Sequence, residues 1–141
     1  MDTYNLNRFV QAQNEIYDQA LSELELGRKR RHWMWYVFPQ LDGLGSSPIA
    51  KLYSNKSEGE SRAYLDHPVL GPRLVECAEA MLCVEGKSAR EILGSPDDLK
   101  LKSCATLFAR VSPPGSVFER ILEKFYSGEP DAATLRLLTP K

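Results

Sequence analysis

The sequence predicts an all-α fold, one compact domain of several helices over residues 1–141, and three observations carry that prediction. Apolar residues recur at the roughly 3.6-residue spacing of amphipathic helices, and no sustained period-two alternation of a half-buried strand occurs. A serine followed three residues later by a carboxylate, which satisfies the free N–H groups of a helix start, occurs as Ser57 with Glu60, Ser88 with Glu91, Ser95 with Asp98, and Ser116 with Glu119. Gly27, Gly86, Gly94 and Gly128 each follow a periodic stretch, where a left-handed residue closes a helix.

Taken in order, Leu6, Phe9, Val10, Ile16, Tyr17, Ala20, Leu21 and Leu24 form one stripe, predicting a first helix that Gly27 ends. Trp33 to Phe38 has the aromatic content of a buried strand, but it is short and Pro39 follows, so it reads as a short buried helix. Ser47 and Pro48 start a helix as N-cap and first helical residue, and Ser57 starts another. Leu70, Leu74, Cys77, Ala78, Met81 and Val84 make the next stripe, and Ser88 opens a short helix closed by Gly94. Leu101, Cys104, Ala105, Phe108 and Val111 follow Ser95-Pro96 and stop at Pro113-Pro114. Phe118, Ile121, Leu122 and Phe125 complete a set of about seven helices, with no internal repeat or linker to divide the chain.

A chain of 141 residues buries roughly 68–70% of the surface its unfolded form exposes, enough for one core. Its 18 basic and 19 acidic residues leave a net charge of −1, so no global field draws it to nucleic acid or to acidic membranes. No signal-peptide pattern or bilayer-length apolar run appears, which predicts a cytoplasmic protein with no membrane partner. Cys77, Cys83 and Cys104 lack Cys-x-x-Cys spacing and read as reduced thiols, the first and last as small buried hydrophobes.

Candidate chemistry gathers in a few places. Gln13 lies in the first apolar stripe, so its amide needs a partner, either a loop carbonyl or a ligand. Arg28 to Arg31 and His32 run into Trp33, Met34, Trp35 and Tyr36, a basic and aromatic stretch that reads either as a solvated helix end with core tryptophans or as a surface for phosphates and bases. In Leu41 to Pro48, Gly43 and Gly45 let the backbone approach a ligand, and the helix after Ser47 offers N–H groups to an anion. The loop is neither a Walker loop nor a dinucleotide fingerprint, and no cofactor is expected. His32 and His67 are the only histidines, candidates for proton exchange or for fixing element boundaries, and their spacing predicts no metal site. Ser103, Thr106 and Arg110 share the face opposite the stripe of their helix, with Lys100 beside them, as exposed surface or as anion ligands.

The run His32-Trp33-Met34-Trp35-Tyr36-Val37-Phe38-Pro39-Gln40-Leu41 with Gly43 to Ser47, the block Tyr64 to Gly71, and Ser95 to Lys100 with Ser103, Thr106 and Phe108 carry a resemblance. Nearly the whole chain resembles an uncharacterised bacterial family of this length, a domain of unknown function often auto-labelled "calpastatin". The resemblance implies a compact, mainly helical fold and no activity, substrate or catalytic residue. At Ser54 to Gly59 this chain departs from the more regular run usual in the family. The calpastatin label is discounted, because calpain inhibitors act through largely disordered segments and this chain is capped and periodic throughout.

The expected function is therefore a small-ligand-binding domain, or an enzyme, for an anionic, phosphorylated or nucleotide-like metabolite. The expected ligand residues are Trp33, Trp35, Gln40, Gly43, Gly45, Ser47, Lys100 and Ser103, with His32 and His67 as catalytic candidates. The alternative is a non-catalytic module that binds a protein or nucleic acid through the basic and aromatic stretch.

Overall fold

A computed structural model describes residues 2–139. These contain α1 (Asn7–Asn14), α2 (Tyr17–Glu25), α3 (Met34–Val37), α4 (Pro48–Leu52), α5 (Glu58–Asp66), α6 (Leu70–Cys83), α7 (Ala89–Leu93), α8 (Asp97–Arg110), α9 (Val117–Tyr126) and α10 (Ala132–Leu138). Among the described residues there is no strand, only one isolated parallel bridge between Leu41 and Asn55. The chain is all-α, as its periodicity predicts.

The two 14-residue helices, α6 and α8, organise the packing. Helix α9 lies on both; α2 and α5 pack on α6, α7 and α10 on α8, and α1 on α3. Phe9, Trp33, Tyr64, Leu74, Met81 and Phe108 are fully buried between these layers. Each such side chain contributes about 1.5–3 kcal/mol through lost apolar exposure. Helices α5 and α6 meet so closely that a Cβ on Gly71 would lie 2.0 Å from the Leu65 carbonyl oxygen.

Most of the helix signals operate as read. Ser47, Ser57, Ser88 and Ser116 each accept an N–H bond from the third residue on, and Gly27, Gly86, Gly94 and Gly128 all have positive φ. The reciprocal bond from the carboxylate closes only at Ser88–Glu91, since Glu60 turns to the Lys56 N–H and Arg8, and Glu119 to the Gly115 N–H. Three other readings differ. The first stripe belongs to two helices, because the chain bends at Glu15–Ile16 so that α1 can face α3 while α2 faces α6. Ser95 does not cap: α8 begins at Asp97 with Pro96 at the N-cap, and the Asp98 N–H donates to the Gly94 carbonyl at 2.9 Å. Helix α10, capped by Asp131 through the Thr134 N–H, had no predicted counterpart and covers the polar side of α8.

Two polar ties hold the helices in register. Gln13, buried in α1, donates to the Tyr36 carbonyl at 2.6 Å and to the Tyr64 hydroxyl at 3.0 Å, and accepts from Arg73 at 3.3 Å. Of the two partners its place in the stripe left open, a loop carbonyl or a ligand, the amide takes a carbonyl, that of Tyr36 in α3. Arg8 donates to the carbonyls of Tyr4, Asn5, Leu52 and Ser54 and to Glu60 Oε2 at 2.7 Å. Cys77 and Cys104 are buried, and burial pushes the Cys77 thiol up to about 12 and that of Cys104 up as well.

Candidate functional site

Between the loop after α3 and the first half of α8 lies an open cavity of about 410 Å³. Helix α3 contributes Trp35, the loop Gln40 and Leu44 to Ser47, α8 Leu99, Lys100 and Ser103, and the start of α10 Asp131 and Ala133. The Lys100 ammonium stands 4.9 Å from the centre of the Trp35 ring and 3.5 Å from Asp97 Oδ1. The other Asp97 oxygen holds Lys29 at 2.9 Å. Six of the sequence-predicted ligand residues, Trp35, Gln40, Gly45, Ser47, Lys100 and Ser103, thus line one concave surface.

The way the loop presents donors differs from the expectation. Helix α4 is a five-residue helix whose Ala50 N–H is taken by the Ser47 hydroxyl at 3.1 Å, and Pro48 has no N–H, so its start is a poor anion site. The loop itself is more open. Among the described residues the backbone N–H groups of Leu44, Gly45, Ser46 and Ser47 have no acceptor, and neither the Gln40 amide nor the Trp35 indole N–H has a partner. Gly45 serves packing as well as access, since a Cβ there would lie 2.6 Å from Ala50 Cβ. Ser103 donates to the Leu99 carbonyl at 3.2 Å, and on the polar face of α8 Ser103 and Thr106 are buried, Thr106 accepting the Asp131 N–H at 2.8 Å, while Arg110 stays exposed and pairs with Glu58 at 2.7 Å.

Four predicted residues lie elsewhere. Gly43, with φ +102°, makes the turn beside Leu137. Trp33 is sealed in the core with its indole donating to Glu23 Oε1 at 2.9 Å. His32 lines a separate depression with Glu15, Tyr36 and Tyr53. His67 lines another with Asp2 to Asn7, and its Nδ1 accepts the N–H groups of Val69 and Leu70 at 3.1 and 3.2 Å, fixing the entry to α6. The larger N-terminal depression, about 760 Å³, has no lysine or arginine in its lining, and its one carboxylate, Asp2, accepts the N–H groups of Leu6 and Asn7. Among the described residues no group of three or more His, Cys, Asp or Glu side chains converges as a metal would require.

The basic and aromatic stretch divides. Lys29 turns inward to Asp97, Trp33 is core, Trp35 faces the cavity, and Arg28, Arg30 and Arg31 stay exposed beyond α2 rather than in its last turn. Glu23 organises this segment: Oε1 accepts the N–H groups of Arg30 at 2.7 Å and Arg31 at 3.0 Å, and Oε2 the Arg31 guanidinium at 2.8 Å. Burial pushes the Glu23 carboxyl up, but these bonds and the Trp33 indole outweigh burial and hold it down at about 2. A depressed carboxyl stabilises fully above its ordinary value of 4.5, and the contribution is lost as pH falls through about 2. The stability gap between wild type and Glu23→Gln should therefore narrow by on the order of 2–3 kcal/mol over that range. Urea unfolding at stepped pH measures it, and parallel pH profiles would contradict it.

Asp131, Leu44 and Leu99 also line the cavity and were not predicted. Asp131 was legible, as an N-cap residue three before Thr134, whereas Leu44 and Leu99 carry no local signal. No described helix is long and apolar enough to cross a membrane.

No curated protein matches the chain. In a crystal structure, the conserved hypothetical protein Rv1873 from Mycobacterium tuberculosis is 51% identical, with a TM-score of 0.96 over 98% of this chain and 99% of that one. The family described as "Protein of unknown function (DUF1810)" matches residues 3–138, so the fold and the sequence agree that the chain belongs to the DUF1810 family.

Proposed function

We propose that the cavity between the 41–47 loop and α8 binds a small anionic metabolite, phosphorylated or nucleotide-like. One observation carries the reading: residues 44–47, Gln40 and Lys100 line a single cavity, and among the described residues the 44–47 N–H groups and the Gln40 amide have no protein acceptor. Open donors at a concave site favour an acceptor-rich guest, and Lys100 supplies the matching charge. The half-buried Trp35 offers an indole face to a base or sugar. The reading is of binding and not of acid–base catalysis, because neither histidine lines the cavity, and Ser47 and Ser103 already make bonds within the chain.

Thermal denaturation with inorganic phosphate, sugar phosphates and nucleotides tests it. At least one is expected to give saturable stabilisation, about 2.7 kcal/mol at a hundredfold excess over Kd, and Lys100→Ala should abolish it. A flat response to the whole panel, or stabilisation that survives Lys100→Ala together with Gln40→Ala, would remove the proposal.

A further inference from the structure

Four consecutive cations in a chain of net charge −1 concentrate positive charge in one place. Gly27, with φ +74°, turns the chain out of α2, and three anchors then fix its backbone. The Lys29 N–H donates to the Ile92 carbonyl at 2.7 Å, and those of Arg30 and Arg31 go to the buried Glu23. With Lys29 turned in to Asp97, Arg28 and Arg30 are left exposed, and among the described residues neither side chain makes an ion pair or hydrogen bond. Together with Arg31 and Lys87 they line a depression of about 680 Å³ against α2. Only two carboxylates face these four cations, and one of them, Glu23, is buried and already bound to Arg31.

The lining also contains Leu26, which is 76% exposed. An aliphatic group standing in water beside unpaired guanidinium groups suits a guest that has both apolar and acidic side chains. The same lining is unsuited to nucleic acid: it has no aromatic ring on which a base could stack, and Asp18 stands among the cations.

We propose that this depression is a docking surface for an acidic peptide segment of a partner protein, with Leu26 receiving one aliphatic side chain and Arg28 and Arg30 pairing with flanking carboxylates. The site is separate from the cavity beside Lys100, so the two assignments stand or fall independently.

The test is fluorescence anisotropy of the full chain with a short labelled peptide of glutamate and aspartate around one leucine. Saturable binding is expected, weakened about tenfold or more by Arg28→Ala with Arg30→Ala, and similarly by Arg30→Glu. Leu26→Ser should weaken it by a few-fold, raised salt should weaken it, and Lys100→Ala should leave it unchanged. Both arginines are exposed, so circular dichroism of the variants should match that of the wild type. Absence of saturable binding, or binding indifferent to the arginine substitutions, would overturn the proposal. An oligothymidylate that binds more tightly than the peptide and loses affinity in the same variants would overturn it in favour of a nucleic-acid surface.

Discussion

Gly71→Ala is expected to destabilise the fold by about 3 kcal/mol or more, lowering Tm by roughly 10 °C, although helix propensity alone favours alanine by about 1 kcal/mol. The new Cβ would lie 2.0 Å from the Leu65 carbonyl oxygen and 2.9 Å from its carbon. Both atoms are backbone, so no side-chain rotation relieves the overlap. The end of α5 would have to part from the start of α6, opening contacts around Tyr64 and Leu70, which are fully buried. Urea and thermal unfolding measure the effect, and an unchanged or raised Tm would show that the two helices are not so close.

Arg8→Ala is expected to have an effect of similar size, about 3–5 kcal/mol. Its guanidinium makes five bonds that tie the start of α1 to the end of α4 and to α5. Glu60, whose side chain is 1% exposed, would keep only the Lys56 N–H at 3.0 Å as a partner from outside its own helix. A carboxylate left in that position without its cation is the main penalty. Lysine should rescue little, because a single ammonium cannot reach acceptors spread along a planar fork. Arg8→Met with Glu60→Leu should recover the part due to the stranded charge and leave the part due to the four carbonyls, which a double-mutant cycle in urea separates. Additive losses would mean that the two residues act independently.

The helix boundaries were legible because local signals decide them: Ser88 caps through its hydroxyl, and Gly94 adopts the positive φ that closes the helix. Tertiary packing decided the exceptions. Nothing local distinguishes one helix bent at Glu15–Ile16 from a continuous one, since the same apolar spacing serves both. The buried face of α8 looked like surface because its cover, α10, is short and was not recognised, which left Ser103 and Thr106 without a reason to be polar and inside. For the cavity, residues adjacent in sequence were the misleading ones. Trp33 is the N-cap of the four-residue α3 and Trp35 its second residue, and a step of two turns one into the core and the other toward α8. The histidines failed to join the loop because each is engaged at an element boundary or lies at a separate depression.

The Gln13 amide reaches α3 through Tyr36, α5 through Tyr64 and α6 through Arg73. Because the amide has no charge of its own, its two donated bonds do not weaken with ionic strength or with mild acid, as an exposed ion pair would. Detaching α1 strands a polar group in the interior, so these four segments should share one opening event, and their slowest amides should exchange with solvent at a common free energy.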